Sequence, residues 1–309
     1  MRNLRYFDEV VRSGSIRKAS ERLHIAASAV SRAIAQLEIE LDIELFERDS
    51  RGMMLTAAGE LYLNYVRRAL IDEQRVRGEL LGMKGLQSGH LRIASIEGLI
   101  ADVVTESIVE FRLRYPRIDF DLTVAGSAAV SKSVRAREVD IGITAKSDPG
   151  VGIVVAKRIE EKLQAVLNPA HPAVEGEISM RDLILSDAVA VPDQGSTIRH
   201  QLDAFCRQEG IVLRPALVTN SMDALRSFAR LGGGITFLPR LAFRRDLAEG
   251  TLVGRRLSDT GIPAATVDIC IPAGWRLSFA AITYLSFLQS ELAALQEAGE
   301  IGDPLPRDN

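Results

Sequence analysis

The feature that most constrains this chain is a change of hydrophobic period near residue 90. Before it, apolar residues recur every three or four positions, as on amphipathic helices. From Leu91 onward, short β-branched runs alternate with helical patterns. One chain carrying both periods must build two structures, a densely helical unit and an α/β unit with a mostly parallel sheet. The stretch between them, Gly85-Leu86-Gln87-Ser88-Gly89-His90, holds two glycines and a serine, a composition that ends a helix and permits hinge motion. At 309 residues, 47% hydrophobic and 26% charged, the chain can bury two or three cores, which excludes wholesale disorder.

Other bounds are local. No apolar run approaches the roughly 20 residues of a membrane span, and Met1 to Phe7 does not open an export signal, so a cytoplasmic protein with no membrane contact is expected. Two cysteines, Cys206 and Cys270, exclude a disulfide framework and read as packed thiols. A net charge of -3 gives no global attraction to nucleic acid, so any DNA contact must come from local placement.

In the first unit, Leu4, Phe7, Val10 and Val11 mark one face of a helix ended by Ser13-Gly14. Ser15 is a candidate N-cap for a second helix through Leu23, and a third runs from Ala27 to Leu41 with Val30, Ile34, Leu37 and Leu41 inward. Two helices joined by so short a turn form a helix-turn-helix, whose second member enters the major groove. Its start presents Ala27, Ser28, Ser31 and Arg32: methyls for thymine, hydroxyls for bases or phosphates, and a guanidinium for guanine or phosphate. Such three-helix patterns also occur in packed domains that bind no DNA. The residues after them narrow the choice, because 45–48 and 53–56 flank a turn at Asp49-Ser50-Arg51-Gly52 and read as a hairpin whose Arg48 and Arg51 reach phosphates as a wing. Thr56-Ala57-Ala58-Gly59 then caps a long fourth helix.

In these residues the chain resembles the LysR-type transcriptional regulators. The resemblance is carried by Phe7, Gly14-Ser15-Ile16, Ala19, Leu23, Ala29-Val30-Ser31-Arg32, Ile34, Leu37-Glu38, Leu41, Leu45-Phe46-Glu47-Arg48 and Leu55-Thr56-Ala57-Ala58-Gly59. It continues less specifically in Phe111-Arg112-Leu113-Arg114-Tyr115-Pro116, Val139-Asp140-Ile141-Gly142-Ile143 and Gly232-Gly233-Gly234-Ile235-Thr236-Phe237-Leu238-Pro239, covering all but the terminal tail. Two departures matter. Ala26-Ala27 stands where family members often carry Ser-Gln, removing the usual cap and an amide contact to a base, and Asp42 replaces a typical glycine. Residues 1–60 hold 9 basic against 10 acidic side chains, so binding must rest on a few placed arginines, Arg32, Arg48 and Arg51 first, unless these are ordinary solvated charges.

Along the fourth helix Tyr62, Val66, Ala69, Glu73, Val76, Leu80 and Met83 repeat at coiled-coil spacing. This stripe must bury itself either against a second subunit, giving a homodimer that reads an interrupted palindrome in double-stranded DNA, or on its own chain. The resemblance adds assembly of dimers into a homotetramer, T and A at the ends of the palindrome's core, and RNA polymerase as a further partner.

The expected organisation is an N-terminal all-α winged helix-turn-helix (1–58), a linker and dimerisation helix (59–85), a hinge (86–90) and a two-lobed, periplasmic-binding-protein-like α/β domain (91–298). Lobe one takes 91–163 and 267–298, lobe two 164–266, and 299–309 form a disordered tail. Strands are expected at 91–94, 120–124, 140–144, 165–167, 188–191 and 266–271, and helices at 101–115, 196–209, 222–231 and 279–295. In such folds a small effector sits at strand ends beside helix N-termini. That places Ser95, Ile96, Glu97, Ser127, Ser196, Thr197, Asn220 and Ser221 at the cleft, with Ser95 and Thr197 the direct contacts by resemblance. Each serine serves equally well as a plain N-cap. Glu97 would repel an acid effector unless paired, and favours a hydroxyl- or amine-bearing ligand.

The rival classes are an enzyme and a cytoplasmic small-molecule-binding protein. The four histidines lack metal-ligand spacing, no Gly-x-Ser-x-Gly elbow or phosphate loop occurs, and no cofactor is expected. The mechanism that uses both halves is allosteric: effector closes the cleft, the lobes shift, and the DNA-binding domains reposition.

Overall fold

The computed structural model describes residues 1–49, 52–82, 88–99, 103–145, 151–259, 262 and 264–301. It divides into two units, Met1–Leu80 and Leu81–Asn309.

The first unit packs α1 (Arg2–Ser13), α2 (Ile16–Leu23) and α3 (Ala27–Leu41) with the hairpin β1 (Phe46–Asp49) and β2 (Gly52–Leu55) and the start of α4 (Ala57–Gly82). Leu4, Phe7, Val10, Ala19, Val30, Ile34 and Leu37 meet Leu45, Phe46, Leu63 and Val66 in one core. Leu41, read as inward, is 43% exposed, because α3 outruns the elements that cover it. Ser15 holds the N-cap position of α2, but its hydroxyl makes no capping bond. Asp42 closes α3 in the left-handed region, φ 51°, where glycine would be unstrained.

The stripe on α4 is partly used up within the chain. Val66 is fully buried, with Tyr62 and Ala69 packed against the same core, and Tyr62 meets Phe7 edge-on at 5.2 Å. The polar position, Glu73, accepts a bond from Arg5 at 3.0 Å. Val76 stays 44% exposed, while the side chain of Leu80, and Met83 altogether, lie outside the described residues. The first half of the expected dimer seam is thus an intrachain contact, since α1 and β1 offer it apolar surface first.

The second unit has two five-stranded sheets. Lobe one orders β4 (Ile118–Val124), β3 (Gly89–Ser95), β5 (Ile141–Ala145), β12 (Ala265–Pro272) and β6 (Ile153–Glu161). Lobe two orders β11 (Val253–Arg256), β7 (Leu163–Leu167), β10 (Ile235–Pro239), β8 (Val189–Pro192) and β9 (Leu217–Thr219). The chain crosses between lobes at Lys162 and again ahead of Ala265. The sheets are mixed, not mostly parallel: β3 pairs parallel with β4 and β5, and β8 with β9 and β10, while β6, β7, β11 and β12 pair antiparallel. Those antiparallel strands surround the two crossings, where no helix intervenes to force a parallel return.

Helices α5 (Thr105–Arg114), α6 (Ser127–Arg135) and α11 (Phe279–Glu297) belong to lobe one; α7 (Met180–Ser186), α8 (Thr197–Glu209), α9 (Met222–Arg230) and α10 (Arg244–Glu249) to lobe two. Leu241 packs into the lobe-one core from the one-turn helix Arg240–Ala242, and its amide donates to Glu161 Oε2 at 2.8 Å. Cys206 and Cys270 are buried thiols. The tail is ordered at its start, because Ile301 is buried against lobe one; 302–309 lie outside the described residues. No described helix is long and apolar enough to cross a membrane.

The Asp140-Ile141-Gly142 motif joins β5 to β3. Asp140 Oδ2 accepts the Arg92 amide at 2.9 Å, the Asp140 amide donates to the Arg92 carbonyl at 2.9 Å, and a Cβ at Gly142 would lie 2.3 Å from Val134, so α6 sits directly on the strand. Burial holds the Asp140 carboxyl above the ordinary carboxylate range, outweighing the opposing pull of the Arg92 amide and charge and of His90. The folded chain therefore binds this proton more readily than the unfolded chain, and ionised Asp140 weakens the fold above its folded pKa. Asp140→Asn keeps an acceptor for the Arg92 amide. It is expected to raise stability near neutral pH by up to about 1 kcal/mol, the advantage fading as acid protonates Asp140 in the unmutated protein. Urea unfolding of both proteins along a pH series checks this; an Asn variant weaker at every pH would contradict it.

Candidate nucleic-acid interface and ligand cavity

The start of α3 is open to solvent. Its N-cap is Ala26, which has no side-chain acceptor, so the first amides of the helix are left for an external group. Ala27, Ser28 and Arg32 are exposed and Ser31 half-buried. Arg32 lies back along the helix, its Nε donating to the Ser28 carbonyl at 3.2 Å, which gathers hydroxyl, guanidinium and free amides at one end. Gln36, one turn on, continues this exposed stripe; its place four residues after Arg32 was the available signal, and the sequence reading passed over it.

A carboxylate of α3 and the backbone at the end of α1 hold the hairpin in place. Glu38 Oε1 accepts the amides of Leu45 and Phe46 at 2.9 and 3.1 Å, and the Met53 amide donates to the Gly14 carbonyl at 3.0 Å. Arg48 lies in β1 opposite Met53; its side chain, like Arg51 altogether, lies outside the described residues. Several arginines of this unit are already committed: Arg12 pairs with Asp8, Arg17 with Glu21, Arg22 with Glu9 and Arg5 with Glu73.

In the second unit a cavity of about 400 Å3 opens between the lobes. Ile96, Glu97, Ser127, Ser196, Thr197 and Asn220 line it, as expected from their places at strand ends and helix starts. Ser95 does not. It is fully buried, its hydroxyl donates to the Ile96 carbonyl at 3.1 Å, and its own carbonyl accepts the Ala125 amide, so it shapes the turn instead of facing a ligand. Ser221 reaches the cavity through Glu97: its Oγ donates to Glu97 Oε1 at 2.9 Å while accepting the Ala224 amide at 3.3 Å as the cap of α9. Ser196 likewise caps α8, accepting the Ile198 amide at 3.3 Å. Both serines are thus N-caps, and Ser196 lines the cavity as well.

The sequence reading missed Asp193, Leu99, Met222 and Thr266 among the lining residues. Asp193 follows β8 within Asp193-Gln194-Gly195-Ser196, and a strand end running into a helix cap was a readable signal. One of its oxygens accepts the Gly195 amide at 3.1 Å. Among the described residues, no group of three or more His, Cys, Asp or Glu side chains is placed to hold a metal ion.

Residues 1–60 match the family model described as "Bacterial regulatory helix-turn-helix protein, lysR family", and residues 84–293 match "LysR substrate binding domain". A "Probable RuBisCO transcriptional regulator" of Porphyra purpurea is 30% identical over 254 residues, 80% of this chain and 80% of the relative. An "Uncharacterized HTH-type transcriptional regulator YvbU" of Bacillus subtilis is 30% identical over 241 residues, 77% of this chain and 81% of its own. The fold is shared with full-length CbnR solved with its target DNA, at a TM-score of 0.68 and 19% identity, covering 94% of this chain and 98% of that one.

Proposed function

The chain belongs to the LysR family of bacterial regulators, and from that membership we propose the division of labour between its two units. The protein is a DNA-binding transcriptional regulator with an effector-binding domain. The observation that carries our reading is the solvent-facing, side-chain-uncapped start of α3, where Ala27, Ser28, Ser31 and Arg32 surround free amides. Amides and hydroxyls there suit a phosphate, and Arg32 suits guanine or a second phosphate. Arg48 and Arg51 extend the contact along the backbone. The partner is double-stranded DNA with an interrupted palindrome, bound by a homodimer that assembles into a homotetramer. The apolar side chains that α4 leaves exposed, Leu61, Tyr65 and Val76, support pairing between copies. A small effector occupies the cavity, contacts Thr197, and changes the lobe arrangement and thereby DNA bending and RNA polymerase access, in the cytoplasm.

The test is binding to DNA from around the protein's own gene across a salt series. Arg32→Ala is expected to weaken specific binding about tenfold. If Arg32 reads a base, the loss vanishes on DNA already lacking that base; if it grips phosphate, the loss is uniform and the salt slope falls by about one. Binding with no preference over random DNA would overturn the reading.

A further inference from the structure

The chemistry of the cavity walls names a class of ligand, an inference that rests on the effector reading above. Ile96, Leu99, Val124, Ile198 and Met222 make the walls largely apolar. Among the described lining residues there is no Lys, Arg or His, whereas Glu97 and Asp193 bring two carboxyl groups. Among the described lining residues a carboxylate ligand would meet these with no cationic side chain to offset them, and the starts of α6, α8 and α9 offer only partial positive charge. We propose that the ligand is a small, mainly apolar primary amine whose ammonium binds Glu97.

Glu97 is the better placed of the two acids. Asp193 spends an oxygen on the Gly195 amide within its own turn. Glu97 uses Oε1 for the Ser221 hydroxyl, and among the described residues Oε2 has no hydrogen-bond donor. The Ser221 hydroxyl accepts the Ala224 amide on one lone pair and donates its single proton to Glu97. The carboxyl group is therefore aimed before a ligand arrives, and an ammonium with three donors can take Oε2 while reaching the hydroxyls of the cavity wall. Glu97 stands on the one-turn helix Glu97–Leu99 of lobe one and Ser221 on lobe two, so an ammonium that holds Glu97 is felt by both lobes. This gives the ligand a direct hold on lobe closure.

Three probes that share a benzyl group test the class: benzylamine, benzyl alcohol and phenylacetate, titrated calorimetrically into the full chain and its Glu97→Gln variant. Benzylamine is expected to bind at least about tenfold more tightly than phenylacetate, and Glu97→Gln to erase that preference. Benzyl alcohol should bind both proteins alike, which shows that the variant is folded. Phenylacetate binding as tightly as benzylamine, benzylamine binding that ignores Glu97→Gln, or no benzylamine binding at about 10 mM would each overturn the proposal. The same probes are added to the DNA-binding assay. Amine selectivity that depends on Glu97 without any change in DNA affinity upholds the ligand class and refutes the effector reading. Phenylacetate that binds best and shifts DNA affinity does the reverse.

Discussion

Gly59→Ala is expected to destabilise the N-terminal unit by about 3 kcal/mol and to abolish DNA binding at temperatures where the unmutated protein binds. Gly59 lies in the first turn of α4, where its amide donates to Thr56 Oγ1 at 3.0 Å; that hydroxyl in turn donates to the Glu44 carbonyl at 2.8 Å, and the Thr56 amide to the Leu45 carbonyl at 3.0 Å. The turn is thus pressed against the chain entering β1. A Cβ on Gly59 would stand 2.1 Å from the Leu45 oxygen and 2.8 Å from Leu55 Cδ2. The oxygen is backbone, fixed by the hairpin and by the Glu38 carboxylate that holds the amides of Leu45 and Phe46, so the clash cannot be relieved by a side-chain rotation. Helix propensity alone predicts the opposite sign, since Ala improves on Gly by about 1 kcal/mol inside a helix. The sign therefore separates close approach from propensity. Helical circular dichroism on heating reports both units, while the fluorescence of the single tryptophan, Trp275, follows the second alone, so the part of the helical signal lost apart from the Trp275 change belongs to the first. The first transition should move down and the second stay. An Ala variant as stable as the unmutated chain would show that α4 does not need this contact.

That motif also shows what could be read from sequence and what could not. Thr56 as a cap and Gly59 in a helix start follow local rules, and so did the helices from Thr197, Met222 and Phe279, whose apolar faces repeat at helical spacing. Strand β6 was missed because its apolar positions are broken by Lys157, Arg158, Glu160 and Glu161, charges tolerable on an edge strand whose partners lie on one side only. The antiparallel pairings were missed with it, because strand direction depends on which segments cross between lobes, a long-range fact with no local period. Ser95 was assigned to the cleft by its position after a strand; whether such a side chain faces outward or folds into its own turn depends on a bond to the next carbonyl. Glu97 was legible as an oddity, but its partner Ser221 lies 124 residues away and no spacing rule connects them. On α4 the periodicity marked a face whose first half, Tyr62, Val66 and Ala69, is covered by its own chain, because a stripe records only that a surface is buried, not on whose chain.

Arg158→Met carries the second large effect, about 2–3 kcal/mol of lost stability in lobe one. Asp268 is fully buried in the inner strand β12, and Arg158, its register partner on the edge strand β6, grips both oxygens, Nε to Oδ1 at 2.6 Å and Nη2 to Oδ2 at 2.9 Å. The Arg158 side chain is 44% exposed and that of Asp268 not at all, so the energetic consequence of breaking the pair falls on Asp268. Removing the cation takes the bidentate partner from a buried carboxylate. Neutral replacement of both partners removes the buried charge itself. Arg158→Met with Asp268→Leu should therefore recover most of what Arg158→Met loses, although it lacks the ion pair altogether. Urea unfolding at neutral pH followed through Trp275 reads both the single and the double variant. A single variant that loses nothing, or a double variant less stable than the single, would mean that the pair holds β6 to β12 by its attraction and not by sparing a buried charge.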